Sequence, residues 1–247
     1  MKIRFRRLLS TDSPKAVKAS GYGYFNGINY MAPHKSGGVG NLCSHASPIC
    51  IKVCLGTESG QAAMSETVRE SRQRKAVYFM RNRDEYMQEF AYHVEKLISK
   101  AVELGLKPAV RPNGSSDIPY EGVSVTVNGK RFKNIFEAFP ETPFLDYTKN
   151  PNRFKRALPP NYHLTFSLSE TNEEQARELL AQGVNVAAVF GNGLPETYLG
   201  HPVINGDAHD LRFLDPKGVI VGLSPKGNKA KKDTSGFVLR NYATHNA

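Results

Sequence analysis

The sequence predicts an α/β protein of mainly parallel strands, forming a partial or complete (β/α) barrel. From residue 106 onward, short apolar segments of strand character alternate with short helical ones, the pattern of βαβ units. Residues 184–190 are apolar throughout, as strands covered on both faces are. Polar residues recur just after the strand segments, at the ends where barrels of this kind gather their functional groups. Five or six such strands favour a barrel over a small open sheet.

Residues 1–9 are basic and predict a short strand or arm, and residues 10–20, polar and holding Pro14, a loop. Residues 21–31 are rich in Tyr and Phe and broken by glycines, which predicts a strand or a hairpin turning at Asn26-Gly27. Gly37, Gly38 and Gly40 make residues 33–41 a flexible loop. Helices are expected at 65–80 and 84–104. In the second, Tyr86, Phe90, Val94, Leu97, Ile98 and Ala101 keep the helical period and Gly105 stops it. Then come a strand at 106–111, a hairpin at 123–132 turning at Asn128-Gly129 and a helical turn at 135–139. Next are a strand at 144–147, a short helix at 152–158, a strand at 162–168 and a helix at 171–182 closed by Gly183. Strands at 184–190, 203–205 and 219–223 complete the series. No internal repeat or linker divides the chain, so 1–247 is expected to be one domain: an arm and aromatic, Gly-rich segment (1–40), a cysteine loop (41–60) and a barrel core (61–240).

The chain has 247 residues and a net charge of +10. Basic residues cluster at Lys2, Arg4, Arg6 and Arg7, along 69–83, and at Lys226, Lys229, Lys231 and Lys232. That balance favours an anionic partner, nucleic acid or nucleotide first. The opening ten residues turn polar too early for a signal-peptide core, and no apolar run approaches the roughly 20 residues of a membrane helix. A cytoplasmic protein is expected, with reduced thiols and no membrane partner.

All three cysteines, Cys43, Cys50 and Cys54, fall in one stretch with the spacing C-x6-C-x3-C. Cys50 and Cys54 are one helical turn apart, and Cys43 could close a triangle from the preceding loop. The odd count argues against a disulfide framework. Three thiolates suit a [4Fe-4S] cluster with one iron left open. Zinc would need a fourth ligand such as His34 or His45. Three small buried side chains of no metal-binding role are the remaining alternative.

The predicted strand ends supply the other candidates. Asp117, Asp146 and Glu170 are placed for proton transfer or for orienting hydroxyls. Arg111, Asn113, Tyr147, Lys149, Ser169, Asn192, Asp207 and Lys226 are candidates for binding substrate or cofactor, with Arg111, Lys149 and Lys226 suited to phosphate or carboxylate. His163 is expected to be a hydrogen-bonded core residue, and the Asp207, His209, Asp210 group a solvated loop. The phosphate-loop and zinc-helix motifs are absent from the sequence.

The cysteine loop, the basic helix after it and the segments RPNGSSDIPYE, FLDYTK, YHLTFSLSE, INGDAHDLRFLDP, VIVGLSPKG and DTSGFV resemble an uncharacterised family of phage and prophage proteins. More distantly, three cysteines ahead of a βα barrel are similar to the radical S-adenosylmethionine (SAM) enzymes, although those usually show C-x3-C-x2-C. The likeness implies that Cys43, Cys50 and Cys54 hold a [4Fe-4S] cluster and that SAM binds its open iron. The expected function is a radical SAM-like enzyme acting on nucleic acid or nucleotides, in the host cytoplasm if phage-encoded. The alternative is a nucleic-acid-binding protein of phage replication or genome processing whose iron–sulfur or zinc site is structural.

Overall fold

A computed structural model describes residues 3–242. Its strands are β1 (Leu9–Ser10), β2 (Tyr24–Asn29), β3 (Lys107–Arg111), β4 (Val125–Val127), β5 (Lys130–Phe132), β6 (Phe144–Thr148), β7 (Tyr162–Ser167), β8 (Val186–Phe190), β9 (Thr197–Tyr198), β10 (His201–Asn205), β11 (Ile220–Leu223) and β12 (Val238–Leu239). The helices are α1 (Pro14–Lys18), α2 (Pro48–Lys52), α3 (Gly60–Met64), α4 (Glu66–Arg81), α5 (Arg83–Glu103), α6 (Ile135–Ala138), α7 (Glu173–Ala181) and α8 (Gly227–Lys231). Ten strands form one mixed, mostly parallel sheet in the order β1-β2-β3-β6-β7-β8-β11-β10-β9, with β12 also paired to β8. Only the β1–β2 and β10–β9 pairs in it are antiparallel. From β2 to β8 each new strand is added on the same side, as in a barrel, but the hydrogen-bonded path from β1 to β9 does not close among the described residues. The β4–β5 hairpin stands apart as its own two-stranded sheet.

The parallel ladder is thin at two places, between β3 and β6, which pair only at Val110↔Phe144, and between β7 and β8. β7 pairs with β8 only at Phe166↔Val186 and Ser167↔Ala187. Beyond that point β12 takes over, pairing Val238 with Val189 and Leu239 with Phe190. The sheet therefore splits at the C-terminal ends of β7 and β8, and β12 fills the split.

The two faces are covered differently. Strand side chains alternate between faces, so Val110 and Phe144 share a core with the α5 residues Tyr86, Phe90, Val94 and Leu97. Phe166, Val186 and Ala188 pack with Ala176, Leu179 and Leu180 of α7. Among the described residues, no long helix lies on the opposite face. Ala109 of β3 and Leu145 of β6 meet Leu211 and Ala19. Phe213 packs edge-on against Tyr24 and tilted against His163. The segment joining β10 to β11, with α1 beside it, thus covers the inner face, which in a closed barrel would be filled by the strands' own side chains. This corrects the expectation of a solvated loop at Asp207, His209 and Asp210: the Asp210 side chain is fully buried.

Three other expectations change for identifiable reasons. Asn26-Gly27 is not a turn; β2 runs straight through it. Gly27 is required by close approach, because a Cβ there would run into Leu97 Cδ1 of α5 and lie 3.1 Å from Leu9 Cβ. Residues 4–8 are not a free arm. Glu89 Oε1 accepts from the Arg4 and Phe5 N–H groups (2.9 and 2.6 Å), and Lys75 Nζ donates to the Leu8 carbonyl (3.0 Å). Within 10–20, Ser13 caps α1 by accepting from the Ala16 N–H, with Pro14 in the first turn, so a short helix replaces the loop. The long helices fall where periodicity puts them, and Ser65 caps α4 by accepting from the Val68 N–H.

Gly27→Ala is expected to destabilise the chain by about 1–3 kcal/mol through overpacking against Leu97. Urea unfolding of Gly27→Ala with and without Leu97→Ala checks this; failure of the second change to recover any of the loss would show that the contact is not the cause.

Candidate functional site

At the C-terminal ends of the parallel strands lies a cavity of about 230 Å³. Its wall includes all three cysteines, the strand-end residues Arg111, Asn113, Asp117, Tyr147, Lys149, Ser167, Asp207 and Lys226, and two residues from far along the chain, Lys15 and Phe237. The cysteines are free and half-buried. Cys43 lies in a turn where its N–H donates to Asn41 Oδ1 (2.9 Å), Cys50 is in α2, and Cys54 lies just beyond that helix. Ser47 caps α2, accepting from the Cys50 N–H (3.1 Å), and Pro48 starts the helix. Glu170, just past β7, accepts from the Ser47 hydroxyl (2.8 Å) and the Ile49 N–H (3.2 Å). The cysteine segment is therefore fastened to the sheet by one carboxylate.

The sulfurs are held in a polar cradle. The His34 N–H donates to Cys43 Sγ and the Gly56 N–H to Cys54 Sγ, both at 3.3 Å. Burial pushes the Cys43 thiol up to about 12, and the Asp117 charge and the other two thiols push the same way. Burial also raises Cys50, against the Lys149 charge, and Cys54, against N–H groups and Arg72. A thiol in this setting keeps its proton until another cation replaces it, and metal binding is such a replacement. Neither His34 nor His45 lines the cavity, and the His45 ring bonds the Ser44 hydroxyl. Among the described residues, no group of three or more His, Cys, Asp or Glu side chains is arranged to hold a metal ion.

The other candidates separate into two groups. Arg111, Asn113, Asp117, Tyr147, Lys149, Asp207 and Lys226 reach the cavity. Asp146, Glu170, Ser169 and Asn192 do not line it. Asp146 faces the outer core, where it accepts from the Asn113 N–H, Asn113 Nδ2 and the Tyr162 hydroxyl (2.8, 2.8 and 2.9 Å). It fixes the 113–117 turn, which Asn113 Oδ1 tightens by accepting from Ser116 Oγ and the Ile118 N–H. The Ser169 N–H donates to Asn172 Oδ1 nearby, and Asn192 Nδ2 donates to the distant Arg240 carbonyl. Asp117 is tied to Arg153, Thr148 Oγ1 and the Lys149 N–H. Lys149 Nζ donates to Ser167 Oγ (2.6 Å) and to the Ser167 and Leu168 carbonyls. Lys226 pairs with Asp207 (2.8 Å).

The inner wall carries a cluster that no local pattern announces. Asp210 accepts from Arg111 Nη1 (2.7 Å), Lys15 Nζ (3.2 Å) and the Tyr147 hydroxyl (3.2 Å). Arg111 also lies over the Tyr147 ring, 4.6 Å from its centroid. Burial opposes ionisation of Asp210, but the Arg111 and Lys15 charges outweigh it and hold the carboxyl well below the usual range. The basic run on α4 is partly engaged in the fold. Arg69 donates to the Ala62 carbonyl, Arg72 to Gly56 and Lys75 to Leu8.

Burial pushes Asp146 up to about 7 against the Arg111 and Arg153 charges. Its folded-state value lies above the unfolded value of about 3.9, so its contribution is fully present near pH 4 and is lost as pH rises through 7. The stability advantage of the wild type over Asp146→Asn should therefore shrink by up to about 1.4 kcal/mol per pH unit across that window; a pH-independent difference in chemical unfolding would contradict it. Glu170→Ala should speed amide exchange at residues 47–54 by about tenfold while leaving the rest of the sheet unchanged. Hydrogen-exchange mass spectrometry checks this, and unaltered exchange in that segment would show that Glu170 does not fasten it.

No helix among the described residues is long and apolar enough to cross a membrane. No curated protein and no solved structure matches the chain. A family model described as Gene product 88 matches residues 5–241, a span that takes in the cysteine segment, every strand and the whole cavity wall. The chain therefore belongs to the Gene product 88 family, a phage-type family.

Proposed function

We propose that the chain is an enzyme that holds a [4Fe-4S] cluster on Cys43, Cys50 and Cys54 and acts with SAM on a nucleotide, free or as one unit of a nucleic acid, within a partial (β/α) barrel. One observation carries this: three thiols from a single segment border one cavity together with the cationic strand ends of a parallel sheet. The chemistry of the donor set supports the cluster: three thiolates and one position left open. A zinc ion needs its ligands gathered at about 2.3 Å from one centre, whereas a cluster takes each thiolate at a different iron and tolerates a wider triangle. N–H groups already point at two of the sulfurs, as stabilised thiolates require. When bound, the cluster would supply an open coordination position and an electron.

The chain's own residues would do the rest. Burial lowers Lys149, and Cys50 is the strongest charge acting against that, so thiolates at the sulfurs would hold Lys149 protonated beside them. Glu170 holds α2 in place through Ser47 and Ile49. Asn113 and Asp146 fix the turn that forms one wall. A cavity of about 230 Å³ has room for a small molecule and not for a duplex, so a polymer would have to present one unit to it. A reducing cytoplasm, such as that of a phage host, keeps the thiols available.

Protein purified without oxygen should be brown and contain about four irons per chain, and each Cys→Ser change at 43, 50 or 54 should remove most of that iron. Iron-loaded protein should release 5′-deoxyadenosine from SAM under reducing conditions. Zinc without iron would favour a structural metal site, with salt-sensitive nucleic-acid binding independent of SAM as its companion sign. Full iron loading with no SAM cleavage, with or without nucleotide or DNA, would reject the radical chemistry.

A further inference from the structure

The residues lining the cavity include four cations, Lys15, Arg111, Lys149 and Lys226, and two carboxylates, Asp117 and Asp207. Behind the wall Arg153 pairs with both Asp117 and Glu121, and Lys226 pairs with Asp207. Asp210 alone serves both Lys15 and Arg111. Lys149 has no carboxylate in ion-pair range among the described residues, and its ammonium donates only to neutral oxygens. Uncompensated positive charge in a recessed, partly apolar cavity is costly unless an anion joins it. Lys149 faces the sulfurs, and thiolates there would balance it. Asp210 is the only carboxylate in ion-pair range of Lys15 and Arg111 among the described residues.

These two cations are placed to receive an oxyanion. Arg111 uses Nη1 on Asp210 and Nε on the Asn113 carbonyl (3.2 Å), leaving Nη2 with no protein partner among the described residues. Lys15 Nζ makes a single hydrogen bond, to the other oxygen of the same carboxylate. One buried carboxylate therefore holds two cations side by side, each with hydrogens unused. Tyr147 fixes Arg111 from beneath. A guanidinium and an ammonium presented together match a phosphate, which can accept from a fork and a point charge at once.

We propose, deepening the nucleotide-directed function above, that Lys15 and Arg111, bridged by Asp210, form the seat for the substrate's phosphate. The seat belongs to the folded chain itself and does not depend on iron.

The test is calorimetric titration of the full chain at low ionic strength with inorganic phosphate, pyrophosphate and acetate, as isolated under nitrogen and after iron chelation. Phosphate and pyrophosphate should bind in both forms. Lys15→Met, which leaves the Arg111–Asp210 pair intact, should weaken phosphate binding at least about tenfold. Arg111→Lys should weaken it too, because the fork is lost while the charge remains. Lys149→Met should cost less than Lys15→Met, and Lys229→Ala, outside the cavity, should change nothing. On wild-type protein, phosphate should also slow amide exchange in α1, which requires no variant to fold. Absence of phosphate binding in both forms, acetate binding as tightly as phosphate, or a larger loss from Lys149→Met than from Lys15→Met would overturn the seat. Phosphate binding by protein that is isolated without iron and takes up none on anaerobic reconstitution would uphold it while rejecting the cluster.

Discussion

The site depends first on the Asp210 carboxylate. It is fully buried, and its three partners come from α1, β3 and β6, while Asp210 itself belongs to the segment joining β10 to β11. An isolated carboxylate in that position would cost far more than its hydrogen bonds return. With Arg111 and Lys15 beside it, it becomes the fixed point against which four distant parts of the chain are aligned. Its ionised state and the inner-face packing of Leu211 and Phe213 support each other. Removing one cation would leave the carboxylate with a single charged partner, and removing the carboxylate would leave two cations without one.

A second carboxylate, Asp146, does related work on the opposite face of the same strand. It is one residue before Tyr147, and strand alternation sends their side chains to opposite faces. Tyr147 therefore helps to build the cavity, while Asp146 holds the 113–117 turn in shape from behind. Glu170 acts on the cysteine segment in a comparable way. Asp146 and Glu170 are candidates for chemistry by their places at strand ends. In the fold each anchors a piece of the wall, and neither lines it.

Much of this is legible in the residues. The α5 period, the stop at Gly105, the β4–β5 hairpin at Asn128-Gly129 and the parallel series from β3 to β8 rest on local pattern, and local pattern is what a sequence displays. The gathering of Cys43, Cys50 and Cys54 with Arg111, Tyr147, Lys149, Asp207 and Lys226 comes from topology alone, since parallel strands carry the residues after them to one end. The hidden features depend on long-range packing. Asn26-Gly27 has the form of a turn, and only Leu97, seventy positions later, explains the glycine. The polar Asp207 to Asp210 run resembles a solvated loop until Arg111 and Lys15 are known to be its partners. Lys15 stands in a short polar stretch with nothing nearby to mark it.

The strand that fills the split between β7 and β8 joins residues 238–239 to a cavity whose sulfurs lie near residue 50. Such separations make the pocket a late event in folding, since distant pairings form slowly. Until then the thiols would lie in water, where they ionise more readily and meet oxidants more easily than in the finished protein. Burial that holds Cys43 near 12 thus also guards the nascent sulfurs once the chain has closed around them, and the interval of greatest chemical vulnerability falls before the native state, not within it.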